Sequence, residues 1–355
     1  MINIGNQPSK EITDLLTDAI IGTPRESISY QLSEVANKIN FIPAPVFLTI
    51  KKRSKLIATC CRAKGGALFR EKKQKPSIYD ILHFCQLTKK GLSSARKRKP
   101  QNNGILKKEI QSLFEGRGGS YFPVENSHLF YAYVDPANQR SLSLCNLFGC
   151  RAIRTFSTII YSRHRPAKHY SVSRCQPYEK PLVVSYLQEF YRDYSMFSTD
   201  NLFYQDNYYV LKGKNGDIIA GVQANRVNWK IKGLPGFLGK YLLGLIPWLP
   251  FINRYFDRNF TFISLEAIFY KEGFEGKLDK LFESVLAINQ VYTALVWADD
   301  HSELYRSVKK LKPGFFGSFF NLKPASVIVR TNGLSAEEEK QLRELPAYIS
   351  VFDLT

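Results

Sequence analysis

Apolar and polar positions along the chain fall into two similar series of elements. In the first, EITDLLTDAII (residues 11–21) has the spacing of a short amphipathic helix. PAPVFLTIKKRSKLIATCC (43–61) reads as two strands joined by a basic turn. A strand is expected over residues 77–87, a helix over 103–114, a strand over 128–134, a helix over 136–148 and a long strand over 152–162. The second series has a helix over 182–194, then a hairpin over 207–224 turned at Asn215-Gly216. A strand over 260–270, a helix over 275–289, a strand over 291–297, a helix over 300–311 and a strand over 324–330 follow. Two copies of one α+β plan account for the length of 355 residues. The expected division is 1–165, a polar, proline-containing linker at 166–180, and 181–355.

The most apolar stretch, residues 234–256, is interrupted by Lys240, prolines and glycines, so it does not read as a membrane span. It reads as a helix and loop covering a core or a domain interface, with a membrane-surface contact as the alternative. The six cysteines show no CxxC pair and no His/Cys metal spacing. They read as reduced thiols of a cytoplasmic protein. The residues after Met1 are polar, unlike a signal peptide.

Charge changes the picture. The net charge of +19 is concentrated in residues 1–170, which hold 28 Lys/Arg against 11 Asp/Glu; residues 171–355 hold 22 against 20. A basic first half implies an anionic partner: nucleic acid, a membrane surface or a phosphorylated cofactor.

Two motifs bear on that choice. Gln101-Asn102-Asn103-Gly104-Ile105-Leu106 stands between an expected strand and a helix, behind Arg96-Lys97-Arg98-Lys99. A loop opening a helix offers backbone N–H donors and a favourable dipole to phosphate oxygens. The second motif follows the strand at 128–134. Asn138 opens a helix, Ser141 comes three residues later, Cys145 seven later, and Gly149-Cys150 eleven and twelve later. Asn suits a helix N-cap and Gly the left-handed turn that ends one.

Together these motifs resemble the GNAT superfamily of acyl-CoA-dependent N-acetyltransferases. The first matches its Q/R-x-x-G-x-G/A signature except at Leu106, where the family has Gly or Ala. The second matches its Asn-led helix in spacing, with Cys145 in place of a frequent Tyr and Cys150 in place of a Phe. The resemblance implies an α+β fold of two GNAT-like domains, each a mixed, mostly antiparallel sheet flanked by helices. It implies acetyl-CoA as co-substrate and direct attack by a primary amine on a small molecule or peptide. Pyrophosphate would meet the Gln101–Leu106 loop, with Arg96, Lys97 and Arg98 near the phosphates. Asn138 and Ser141 would face the pantetheine arm. Backbone N–H groups among Phe84, Cys85, Gln86 and Leu87 would hold the thioester oxygen. His83 is the candidate base, Cys145 the candidate acid, and Tyr131 a candidate for the acceptor cleft, as is Tyr133.

In the second half the corresponding loop, residues 271–278, carries Glu272 and Glu275, which repel a pyrophosphate. Asp299-Asp300 falls about where Asn138 stands in the first half. That half therefore reads as a degenerate copy that shapes the substrate cleft. No carboxylate cluster is visible in the linear sequence, which points to an uncharged or acidic acceptor. Two other readings stand beside the enzyme: a CoA-binding scaffold without catalysis, and a basic nucleic-acid binder. Against the last, no helix-turn-helix, RNP-like or zinc-finger pattern is present.

Overall fold

The computed structural model describes residues 2–23, 25–42, 45–52, 55–62, 80–83, 105–115, 128–236, 239–245, 248, 250–317 and 322–353. The first half contains β1 (Ile2–Gly5), α1 (Lys10–Asp18), β2 (Ser29–Leu32), α2 (Val35–Phe41), β3 (Val46–Lys52), β4 (Lys55–Arg62) and β5 (Asp80–His83). It continues with α3 (Ile105–Phe114), β6 (His128–Val134), α4 (Gln139–Leu147) and β7 (Arg151–Ser162). Then come β8 (Val172–Arg174), α5 (Lys180–Phe190), β9 (Tyr208–Lys212), β10 (Ile218–Gly233), α6 (Gly239–Leu245), α7 (Pro250–Asn253) and β11 (Asn259–Tyr270). The chain closes with α8 (Leu278–Asn289), β12 (Thr293–Asp299), α9 (Glu303–Lys310), α10 (Gly314–Gly317), β13 (Ala325–Asn332) and α11 (Ala336–Glu344).

All thirteen strands join one sheet in the order β1-β3-β4-β5-β6-β13-β7-β12-β11-β10-β9-β8, with β2 paired along β10. Among the described pairings between named strands only β5–β6 and β11–β12 are parallel. Each parallel pair is bridged by a helix, α3 in one half and α8 in the other, as a parallel connection requires. The repeated unit is therefore strand, helix, strand, helix, strand. Its last member is exchanged between the halves. β13 lies antiparallel to β6 in the first half, and β7 lies antiparallel to β12 in the second. β7 and β13 also pair with each other, so one ladder runs unbroken across the middle. Residues 166–180 include strand β8, which pairs with β9 at the sheet edge.

Strand alternation sorts the core onto two faces. On one, Leu48, Phe114, Phe130 and Phe148 pack α3 and α4 against the first half. Tyr161, Leu265, Leu278, Phe282, Val285, Val296 and Leu304 do the same for α8 and α9. On the opposite face, Phe47 and Leu56 meet α1 and α2. Tyr208, Val210 and Phe269 meet Val183 and Leu187 of α5. Between these, Leu129, Tyr131, Phe156, Val327, Phe262 and Trp297 are covered by α6, α7, α11 and residues 347–351.

Candidate functional site

The Asn138 motif forms the turn its residues dictate. Asn138 caps α4, its Oδ1 accepting the Ser141 N–H at 3.2 Å. The helix ends in a Schellman turn: Gly149 has φ +73°, its N–H reaches Asn146 O at 3.0 Å, and the Cys150 N–H reaches Cys145 O at 2.9 Å. Arg330 of β13 reaches across to Phe148 O. Helix α3 begins at Ile105, so the Gln101–Leu106 motif runs into its N-terminus. Residues Phe84, Cys85, Gln86, Leu87, Arg96, Lys97, Arg98 and Gln101–Gly104 lie outside the described residues.

In the second half the corresponding loop, residues 271–278, folds on itself. The Gly273 N–H donates to Glu275 Oε1 at 3.1 Å, the Phe274 N–H to Lys271 O at 3.0 Å and the Lys277 N–H to Phe274 O at 2.9 Å. These donors are consumed by the loop's own acceptors. The expected Asn138 counterpart is corrected too. Ser302, not Asp299-Asp300, caps α9, accepting the Tyr305 N–H at 3.0 Å. Asp299 ends β12 and is 1% exposed. It accepts Arg154 Nε at 2.8 Å, Arg154 Nη2 at 3.1 Å, and the N–H groups of His301 at 2.8 Å and Ala347 at 2.9 Å.

Ala347 begins a stretch of chain that fills the opening between β11 and β12. The Tyr348 N–H donates to Ser195 O at 2.8 Å. The Val351 and Phe352 N–H groups donate to Glu266 Oε2 at 3.0 and 3.2 Å. The remaining cavity, lined in part by Glu266, Asp299, Ser302 and Tyr348, is about 10 Å³, scarcely room for one water. The stretch then crosses to the first half. The Ser350 N–H donates to the Tyr133 hydroxyl at 2.9 Å, and the Tyr131 hydroxyl donates to the Asp353 carboxylate. Phe352 packs between Phe41 of α2 and Tyr204, with ring centroids at 6.0 and 5.2 Å.

This path assembles a polar cluster under the sheet. Glu266 is 4% exposed and also accepts Gln223 Nε2 and Asn225 Nδ2, each at 3.2 Å. A bulge places it. Gly221 pairs with Phe269 but Gln223 with Glu266, and Ala267 takes φ +47°. Lys38 of α2 donates to Phe352 O at 3.2 Å and faces Glu266, Asp353 and Glu34. Burial pushes the Glu266 carboxyl up to about 7, against the pull of Lys38 and the backbone donors. Burial lowers the Lys38 ammonium to about 8, against the three surrounding carboxylates. Burial, with Asp353 next in weight, holds the Tyr133 hydroxyl well above its ordinary value.

Three carboxylates from residues 34, 266 and 353 thus meet around one lysine, correcting the expectation that no acidic cluster exists. One signal pointed to it: Glu266 is the lone charge in the apolar run FTFISLEAIFY. Nothing near Asp353 did. Among the sequence candidates, Tyr131 and Tyr133 belong to this cluster. His83 is in parallel register with Tyr131 across β5–β6. Cys145 is on the other face of the sheet, on the helix whose Leu144 and Phe148 pack against Phe130. A hydrogen bond from Cys150 lowers its thiol, and the same bond raises that of Cys150. The structure therefore does not bring Cys145 to Tyr131. Among the described residues, no three His, Cys, Asp or Glu side chains are grouped to hold a metal.

No family model and no curated protein matches the sequence. Solved structures do. Saccharomyces cerevisiae N-myristoyltransferase with bound myristoyl-CoA matches at TM-score 0.57 and 12% identity, over 98% of this chain and 89% of that one. A second structure of that protein, also with myristoyl-CoA, matches at TM-score 0.58 and 11% identity, over 98% and 85%. That enzyme has a GNAT fold, and likeness at this identity shows the fold. The chain has the GNAT superfamily fold: α+β, a mixed, mostly antiparallel sheet flanked by helices.

Proposed function

We propose that the chain is an acyl-CoA-dependent N-acyltransferase that holds its donor in the first half. The observation that carries the reading is the unit from β5 through α3 and β6 to the Asn138-capped α4, set in a GNAT fold and backed by the acidic cluster at Tyr131 and Tyr133. Pyrophosphate sits at the N-terminus of α3, against the loop Gln101–Leu106, with Arg96, Lys97 and Arg98 near the phosphates. Asn138 and Ser141 flank the pantetheine arm. A backbone N–H among Phe84–Leu87 holds the thioester oxygen.

The acceptor is a primary amine on a small molecule or peptide. The Asp353 carboxylate attracts its cationic form. The amine loses a proton to the Asp353 carboxylate, which Tyr131 orients, and its nitrogen attacks the thioester carbonyl. The C–N bond forms, the C–S bond breaks, and the second proton lost by the nitrogen passes to the departing thiolate, so that CoA leaves as the thiol. His83, whose backbone is in register with Tyr131, is the other candidate base. Cys145 serves the helix end with Cys150 rather than donating the proton. The superfamily resemblance favours acetyl-CoA as donor; the myristoyl-CoA bound by the yeast enzyme favours a longer acyl chain.

Thermal unfolding with acetyl-CoA, myristoyl-CoA, CoA and dephospho-CoA tests the reading. The chain should gain stability with CoA thioesters, less without the 3′-phosphate, and the larger gain identifies the donor. Gly104→Glu should abolish the gain without changing the melting of the free protein. Asp353→Asn should keep the gain and lower kcat about a hundredfold. No shift with any CoA species would refute the proposal.

A further inference from the structure

A second surface lies away from this cluster. Residues 234–258 and 312–323 together contain five Lys/Arg and one acid, Asp257. Within them, Tyr241, Leu245, Trp248 and Phe315 are 72, 56, 82 and 57% exposed. Tyr170 and Tyr178 are exposed singly elsewhere, but these four apolar side chains fall on two neighbouring segments, which marks an interaction surface. The two segments are adjacent: the Tyr255 ring lies 6.2 Å from Phe315 and 6.3 Å from Tyr292, and the Arg254 guanidinium lies 4.0 Å above Tyr292. Arg254 and Arg258 are exposed beside them, and the Arg258 guanidinium lies about 4.0 Å from where a Cβ on Gly244 of α6 would stand. Lys312 and Lys323 are exposed at the other end, the latter 3.6 Å from Glu26.

We propose that this face docks on an anionic lipid bilayer. Helices α6 and α7 have seven and four residues, and no described helix is long and apolar enough to cross a membrane. Leu243 of α6 is 7% exposed and anchors it to the core, while Tyr241 and Leu245 point outward. Trp and Tyr settle at the headgroup level, and clustered Lys/Arg are attracted to acidic headgroups. The Lys residues around the aromatics separate this face from a protein interface, where Lys is depleted. Docking here leaves the opposite face, with α3 and α4, in water, so an acyl-CoA can reach the first half from solution.

The protein carries its own probe. It has three tryptophans, and Trp229 and Trp297 are each 7% exposed, so a lipid-dependent emission change reports Trp248. Vesicles of phosphatidylcholine with phosphatidylserine are added to the full chain at near-physiological salt, beside phosphatidylcholine alone. The expected result is co-sedimentation with the acidic vesicles, a blue shift of the emission, and release at high salt. Trp248→Phe should remove the shift and keep the binding. The pair Trp248→Ser and Leu245→Ser, and separately Arg258→Glu with Lys312→Glu, should each weaken binding on the order of tenfold at unchanged melting temperature. Absence of co-sedimentation at low salt overturns the proposal, as does binding with no Trp248 shift. A blue shift that grows with protein concentration without lipid also overturns it, and gives the face to a second copy of the chain.

Discussion

Glu266 accepts four hydrogen bonds, yet its carboxyl is pushed up to about 7 because burial outweighs them and the nearby Lys38. A raised carboxyl binds its proton more tightly folded than unfolded. Its contribution is complete below the ordinary value near 4.5 and is lost as the pH rises through about 7. Lys38 runs the other way. Its lowered ammonium, about 8, costs stability while charged, and that cost disappears as the pH rises from about 8 toward 10.5. The cluster supports the fold least between these two values. Lys38→Met removes the cation and leaves the Glu266 charge uncompensated. The expected loss is small at about pH 5, where Glu266 is protonated, and on the order of 3 kcal/mol at about pH 8. Urea unfolding at both pH values checks this; an equal loss at both would assign Lys38 to its bond with Phe352 O alone. As a single charge in an apolar strand, Glu266 is conspicuous in the sequence. Its partners from residues 34–38 and 351–353 are not, because burial and proximity are tertiary facts.

At the scale of elements, the Asn138–Cys150 unit is held by local bonds, so its energetics are local. Asn138→Ala should cost about 1 kcal/mol through the lost cap. Gly149→Ala should cost about 1 kcal/mol through backbone conformation alone. An added Cβ there would lie 3.6 Å from Arg330 Nη1, an ordinary contact, so no steric penalty is expected. Urea melts of both variants measure this, and a much larger loss at Gly149 would reveal crowding against β13. The same locality made these elements readable in advance. The strand over 128–134 and the helix ending at Gly149 follow from alternation, capping and glycine. The hairpin at Asn215-Gly216 does as well. The elements that escaped notice are short or depend on partners. β8 has three residues and exists through its pairing with β9, and β2 through its pairing with β10. Helix α11 carries a capping box, Ser335 with Glu338, but has few apolar positions to announce it.

For the whole molecule, the exchange of β7 and β13 makes each half incomplete alone. Residues 1–165 without β13 would leave the facing edges of β6 and β7 unpaired, and residues 166–355 without β7 would expose β12. Each fragment made separately should aggregate, while co-expression should restore a soluble pair; two independently soluble, folded fragments would show that the central ladder is dispensable. By itself, the sequence determined what periodicity and local bonding dictate: the two α+β series, the Asn138 cap and the Gly149 turn. The exchange of strands, the path of residues 346–353 and the meeting of Glu34, Lys38, Glu266 and Asp353 were decided only by the tertiary structure. Strand order and burial depend on which surfaces meet across hundreds of residues. No window of neighbouring side chains contains that information.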